Sequence, residues 1–127
     1  MKPKSITLTS AFIGLLAAGF FIINQNSSQT SLSSTPKATT TIIMKEEIYE
    51  PQNIEIKKGT KVIFKNEAKE PRWPASNIHP THGIYPEFDP KQPVQADSEW
   101  SFVFDKEGKW KYHDHLVPLI RGEIIVN

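Results

Sequence analysis

The chain has four histidines, and they fall in two short groups. One group is "HPTH", with His79 and His82 three residues apart, and the other is "HDH", with His113 and His115 on either side of Asp114. Neutral imidazole nitrogens bind Cu(II), Zn(II) and Ni(II), and among these ions copper binds most tightly. The spacing therefore predicts a metal site of three or four histidine nitrogens, with copper as the expected cofactor and zinc as the alternative.

Local geometry favours this site but leaves two alternatives open. In an extended strand the two histidines of HDH project to one side, opposite Asp114, and Pro80 presets a turn within HPTH. Glu87 and Asp89 in "YPEFDP" could add oxygen ligands or orient an imidazole from behind. Alternatively, the two groups lie apart on the surface, or His115 and HPTH hydrogen-bond and stabilise the loop without metal.

Composition excludes several other kinds of site. The chain contains no cysteine, which removes disulfides, thiolate metal sites, a thiol nucleophile and a lipid-acceptor cysteine. Three of the 15 basic residues, Lys2, Lys4 and Lys37, precede residue 39, whereas all 14 acidic residues follow it. The remainder is therefore slightly acidic and has no basic block, so nucleic acid is not an expected partner.

The elements that must position the histidines are β-strands. Short segments rich in β-branched and aromatic residues recur from residue 39 onward: "TTTIIMKEE", "NIEIKKG", "TKVIFKN", "EWSFVFD", "KWKYHDH" and "GEIIVN". Trp100, Phe102 and Phe104 alternate with smaller residues and predict one apolar strand face. Six or seven such strands in about 90 residues predict an all-β, antiparallel-rich β-sandwich, with HDH at a strand end.

The other histidine group lies in a proline-rich segment, Pro71 to Pro93, which holds six of the chain's ten prolines. Proline cannot donate to a sheet ladder, so this segment is predicted to be a long loop rather than a strand. Trp73, Ile78, Ile84, Tyr85 and Phe88 provide apolar surface, which predicts that the loop packs in an ordered conformation.

These segments resemble the cupredoxins, a family of small copper proteins. "YEPQNIEIKKGTKVIFKN" is similar to their second and third strands, and "YHDHLVPLIRGEIIV" matches the amicyanin ligand loop and final strand without a gap. The resemblance covers about residues 39–127 and implies a cupredoxin-like Greek-key β-sandwich.

The resemblance also implies that the family's blue-copper ligands are replaced here. The cysteine position is Asp114, the two histidine positions are Arg72 and Val117, and the methionine position is Ile120. A blue site requires a thiolate, so electron transfer through such a site is not expected. Arg72 and Asp114 are predicted to form a bidentate ion pair, with Val117 and Ile120 filling the remaining space, unless both charges point into water.

The N-terminus has the pattern of an export segment. Lys2 and Lys4 precede an uncharged apolar stretch, Ile6 to Ile23, which is long enough to span a bilayer. No small-x-small cleavage site follows it, which favours an uncleaved anchor over a cleaved signal. We therefore expect a signal peptide or N-terminal membrane anchor at 1–23, a Ser/Thr-rich flexible linker at 24–38 and a cupredoxin-like domain at 39–127.

The sequence thus predicts an exported, membrane-tethered domain in the periplasm or at the cell surface that binds a metal ion for handling, sensing or delivery to a protein partner. A metal-free interaction or accessory domain of the same fold is the alternative, and an oxidase-like enzyme comes third. The chain shows no nucleophile with an adjacent base, which favours binding over catalysis.

Overall fold

The computed structural model describes residues 35–127. The predicted export segment at 1–23, and residues 24–34 of the predicted linker, lie outside this range. Within residues 35–127, we find no helix long and apolar enough to cross a membrane.

Residues 35–127 form eight β-strands. They are β1 (Ala38–Met44), β2 (Tyr49–Glu50), β3 (Asn53–Ile56), β4 (Thr60–Asn66), β5 (Pro74–Ser76), β6 (Glu99–Phe104), β7 (Gly108–Asp114) and β8 (Arg121–Val126). The count exceeds the predicted six or seven because β2 has two residues and β5 has three. Strands this short are held by pairing with their neighbours rather than by a residue pattern of their own.

The strands make two four-stranded sheets, which confirms the predicted all-β sandwich. One sheet has the order β2-β1-β4-β6 and the other β3-β8-β7-β5. The pairs β1–β4 and β3–β8 are parallel, whereas the other four pairs are antiparallel. Strand β7 therefore lies between β8 and β5, and the end of β7 carries the HDH group.

Aromatic side chains from both sheets and from the proline-rich loop fill the core. Tyr85 and Phe88 of the loop are almost completely buried. The Phe88 ring packs against five aromatic rings, those of Phe64, Trp100, Phe102, Phe104 and Tyr112. Burying one phenylalanine side chain contributes about 1.5–3 kcal/mol, so these two residues anchor the loop to the sandwich. Ile78 and Ile84, which were expected to pack, are instead 66% and 40% exposed.

Backbone hydrogen bonds close the proline-rich loop at its base. Arg72 N donates to Val94 O at 3.0 Å, and Val94 N donates to Arg72 O at 2.8 Å. The buried Asn66 side chain reinforces this closure because its amide donates to Val94 O at 3.0 Å. The loop is therefore a closed excursion of fixed path, as the sequence predicts.

One part of the loop is a strand, which corrects the expectation that this segment contains none. Strand β5 pairs with β7 in the register Pro74↔Asp114, Ala75↔His113 and Ser76↔Tyr112. Pro74 is tolerated because β5 is the edge strand of its sheet and Pro74 is its first residue. This pairing aligns the proline-rich loop with the end of β7.

Candidate metal centre

The structure brings the four histidines together. Each offers a ring nitrogen, and these four atoms all lie within 4.8 Å of one another. The pairing of β5 with β7 places Ala75 opposite His113, and His115 N donates to Trp73 O at 2.8 Å. Beyond β5 the loop folds back over the end of β7, so the histidines of HPTH face those of HDH.

Alternation along β7 separates the histidines from the core. Tyr112 and Asp114 point into the sandwich, where the Tyr49 hydroxyl donates to Asp114 Oδ2 at 2.7 Å. His113 lies on the opposite face of the strand but is only 2% exposed because the loop covers it. Of the other three histidines, His82 is buried, His115 is partly buried and His79 is exposed. The cluster is therefore covered on one side and open to solvent on the other.

Two contacts across the cluster are already as short as metal ligation requires. His79 Nδ1 lies 3.3 Å from His113 Nε2, and His82 Nε2 lies 2.9 Å from His115 Nδ1. At metal–nitrogen distances of about 2.0–2.1 Å, ligand nitrogens are about 3.3 Å apart in a tetrahedron and about 2.9 Å apart in adjacent corners of a square. Wider separations within the cluster, up to 4.8 Å, must shorten on binding.

The ring nitrogens that face away from the cluster set the orientation of two histidines. His113 Nδ1 lies 2.9 Å from Asn77 Oδ1, and His82 Nδ1 lies 2.7 Å from Asp89 Oδ2. Both partner atoms are acceptors, so each Nδ1 carries the proton and each Nε2 presents its lone pair to the cluster. Such acceptors behind a metal-binding imidazole fix its tautomer and ring position. Asn77 was not identified from the sequence, although it lies two residues before His79.

Asp89 is the centre of a hydrogen-bond network behind His82. Its Oδ1 accepts from Trp73 Nε1 and from Lys91 N, both at 2.8 Å. Burial favours the protonated form of Asp89, but hydrogen bonds from His82, Lys91 and Trp73 outweigh burial and lower its pKa. Asp89 therefore orients His82 as a carboxylate, one of the two roles that the sequence allowed. Glu87 instead faces Lys106 Nζ at 3.0 Å.

His82 has a constrained backbone. Its φ of 55° lies in the left-handed region, which few residues other than glycine adopt. The two hydrogen-bonded ring nitrogens and the nearly complete burial of the side chain hold it there. Uncommon backbone conformations of this kind often occur at binding sites.

Burial keeps two of the four histidines uncharged at neutral pH. Burial, reinforced by the neighbouring His82, His79 and His115, lowers the pKa of His113 to about 4, although Asp114 opposes the shift. Burial likewise lowers the pKa of the His115 imidazole. At neutral pH both rings are therefore neutral, the form that can ligate a metal.

A hydrogen-bond network around Asp114 fills the pocket in which, by the resemblance, the family binds its blue copper. Asp114 is fully buried, and its Oδ2 lies 3.7 Å from Arg72 Nε. Its Oδ1 accepts from the backbone N–H groups of Leu116 and Val117 at 2.8 and 3.1 Å. The Tyr49 hydroxyl also donates to the Asp114 carboxylate. This contact was not predicted from the sequence, because Tyr49 lies in β2, far from Asp114 along the chain.

Arg72 and Asp114 therefore meet, but not as the predicted bidentate pair. The Arg72 guanidinium donates instead to the backbone carbonyls of Lys45 and Glu46, at 3.2 and 2.7 Å. The N–H groups that would form two hydrogen bonds with Asp114 donate to these carbonyls instead. Ile120 is buried as expected, whereas Val117 is 36% exposed and does not fill the pocket.

Fold and site together define a small all-β domain with a candidate metal centre built only from imidazoles. The family model of the cupredoxin-like domain matches residues 12–126, so the chain belongs to this family. The absence of cysteine agrees with the loss of the family's blue-copper thiolate ligand.

Solved structures of cupredoxins have a similar fold. A purple cupredoxin from Nitrosopumilus maritimus is 26% identical, with a TM-score of 0.61, and the match covers 69% of this chain and 99% of that one. A reduced single-substitution variant of amicyanin is 19% identical, with a TM-score of 0.62, covering 74% and 87% of the two chains. A second reduced amicyanin variant is 21% identical, with a TM-score of 0.61, covering 70% and 82%. No curated protein sequence matches the chain.

Proposed function

We propose that this domain binds one metal ion, with copper as the expected ion, through four histidines. The ligand atoms would be Nδ1 of His79 and His115 and Nε2 of His82 and His113. The observation that carries the proposal is the convergence of these four nitrogens within 4.8 Å. The acceptors behind His82 and His113 support it further, because they turn two lone pairs toward a common point.

The ligand set decides which chemistry is expected. Four neutral imidazoles suit Cu(II) and Zn(II), and the Irving–Williams order favours copper when both are present. Without a thiolate, the copper form should lack the intense blue absorption of a copper–cysteine bond. Within residues 35–127 only one group of three or more metal-ligating side chains occurs. A single site supports metal handling, sensing or delivery better than an oxidase with several centres.

The openness of the site fits a handling role. His79 is exposed and His115 partly so, which allows an ion to enter and leave without rearrangement of the sandwich. The N-terminal segment Ile6 to Ile23 would export the chain and tether it outside the cytoplasm, where a protein partner could receive or supply the metal. Fractionation of cells tests the tether: a mature form starting near residue 25 in the soluble fraction would overturn it.

Elemental analysis of the full chain, purified in detergent and loaded with copper or with zinc, tests the metal site. We expect one equivalent of copper in the wild type and its loss in His82→Ala and in His113→Ala. Thr81→Ala is the matched control, because Thr81 lies between the loop histidines but its hydroxyl donates only to Ile78 O. Copper retention at the wild-type level in either histidine variant would falsify the assigned ligands.

A metal-free interaction domain is the second candidate, and one observation favours it. Among residues 35–127, every buried side-chain nitrogen and oxygen has a hydrogen-bond partner without any ion. In this form His79 and His115 would donate Nδ1–H to the lone pairs of His113 and His82. The same elemental analysis separates the two candidates, because a wild-type protein that retains no metal supports the second.

A further inference from the structure

A surface cleft of about 230 Å³ opens beside two of the four histidines. It is lined by Asn77, Ile78, His79, His113, Pro118 and Arg121. A water molecule occupies about 30 Å³ in the liquid, so the cleft has room for a small molecule and several waters. We call it the Arg121 cleft.

The polar groups of the Arg121 cleft favour a negatively charged ligand. No carboxylate is among its lining residues. Arg121 donates from Nε to Pro118 O at 2.8 Å, and its two terminal nitrogens make no hydrogen bond within residues 35–127. Asn77 Oδ1 accepts from His113, which leaves the amide NH₂ of Asn77 as a further donor. Guanidinium and amide donors beside a single cavity suit an anion.

The position of the cleft relates it to the metal site. His79 and His113 contribute to both the cleft wall and the histidine cluster. Four imidazoles are neutral, so a bound divalent ion would keep its full +2 charge. Tetragonal Cu(II) also accepts ligands beyond four nitrogens. An anion held in the cleft by Arg121 would therefore lie against His79 and His113, next to the bound ion.

We propose that the Arg121 cleft binds a small monoanion, of the size of azide or formate, as an additional ligand of the metal. The inference rests on the proposed function, because the anion would contact the ion held by the histidine cluster. It adds that the site accepts an external ligand, which a closed four-histidine site would not do.

Titration of the copper-loaded full chain with sodium azide at constant ionic strength tests the proposal. We expect a saturable azide-to-copper charge-transfer band and a changed electron paramagnetic resonance spectrum. Arg121→Gln should weaken azide binding at least threefold, whereas Arg121→Lys should recover part of it. Lys109→Gln is the matched control, because it removes an exposed positive charge at the opposite end of β7.

The outcomes separate this inference from the proposed function. Failure of the wild type to retain copper would overturn the proposed function. Copper retention with no spectral response to azide would overturn the inference alone. Equal azide affinity in Arg121→Gln and wild type would also overturn it, provided that thermal melting shows the variant to be folded. Elemental analysis after the titration must show that azide has not removed the copper.

Discussion

His82 Nε2 lies 2.9 Å from His115 Nδ1, across the boundary between the proline-rich loop and the end of β7. The two residues are 33 positions apart in the sequence. Their contact depends on the loop anchors Tyr85 and Phe88 and on the pairing of β5 with β7. The relationship shows that the loop and the strand end form one site.

Asp89→Asn should weaken copper binding by about 10- to 100-fold without removing any ligand atom. The amide would replace a carboxylate that fixes the Nδ1–H tautomer of His82 and strengthens its Nε2 as a donor. Competition titration with a copper chelator measures the change. Glu87→Gln, which alters a nearby exposed carboxylate that pairs with Lys106, is the control and should have little effect. Equal losses in both variants would contradict the assigned role of Asp89.

Arg72 and Asp114 should be energetically coupled. Removing either partner leaves the other charge buried, at a cost of about 3–5 kcal/mol. In a double-mutant cycle with Arg72→Met and Asp114→Leu, we expect an interaction free energy of about 1 kcal/mol or more. Urea denaturation of the four proteins measures it, and additive effects would show that the 3.7 Å contact contributes nothing.

Tyr49→Phe should lower the free energy of unfolding by about 1.5–3 kcal/mol, the range for a buried hydrogen bond to a charged group. Tyr85→Phe is a matched control, because the Tyr85 hydroxyl donates at the same 2.7 Å distance to Asp105, which is exposed. Solvent replaces the lost partner there, so the control should lose less. Chemical denaturation compares the two, and equal losses would contradict the special role of the buried network.

The metal-free protein should lose stability as the pH falls from about 6.5 toward 4. In this window the unfolded chain protonates His113, whose ordinary pKa is 6.5, whereas the folded protein keeps it neutral until about pH 4. The unfolded state then binds more protons, so stability falls by up to about 1.4 kcal/mol per pH unit from this group.

His79, His82, His115 and Asp114 act on His113 within the folded protein, and their effects are included in its shifted pKa. Thermal melting between pH 4 and 7 checks the prediction, with His113→Gln as the variant that should show a shallower slope. A wild-type slope no steeper than that of His113→Gln would show that His113 is protonated equally in both states.

The sequence by itself determined the fold and the identity of the clustered residues. Alternating apolar residues specified the strands because a strand buries every second side chain. The same alternation placed His113 and His115 opposite Asp114, and the absence of cysteine excluded a thiolate ligand. These features follow from local geometry and composition, so they can be read without knowing which segments meet.

Only the tertiary structure decided how the segments meet. Strand β5 exists because three loop residues pair with β7, and Asn77 reaches His113 through that register. Arg72 makes one contact with Asp114 rather than two because backbone carbonyls from the turn after β1 occupy its guanidinium. These contacts join residues 26 to 42 positions apart, and they depend on the path of a loop anchored by core packing. No local pattern encodes that path, because it is fixed by the sum of many non-local contacts.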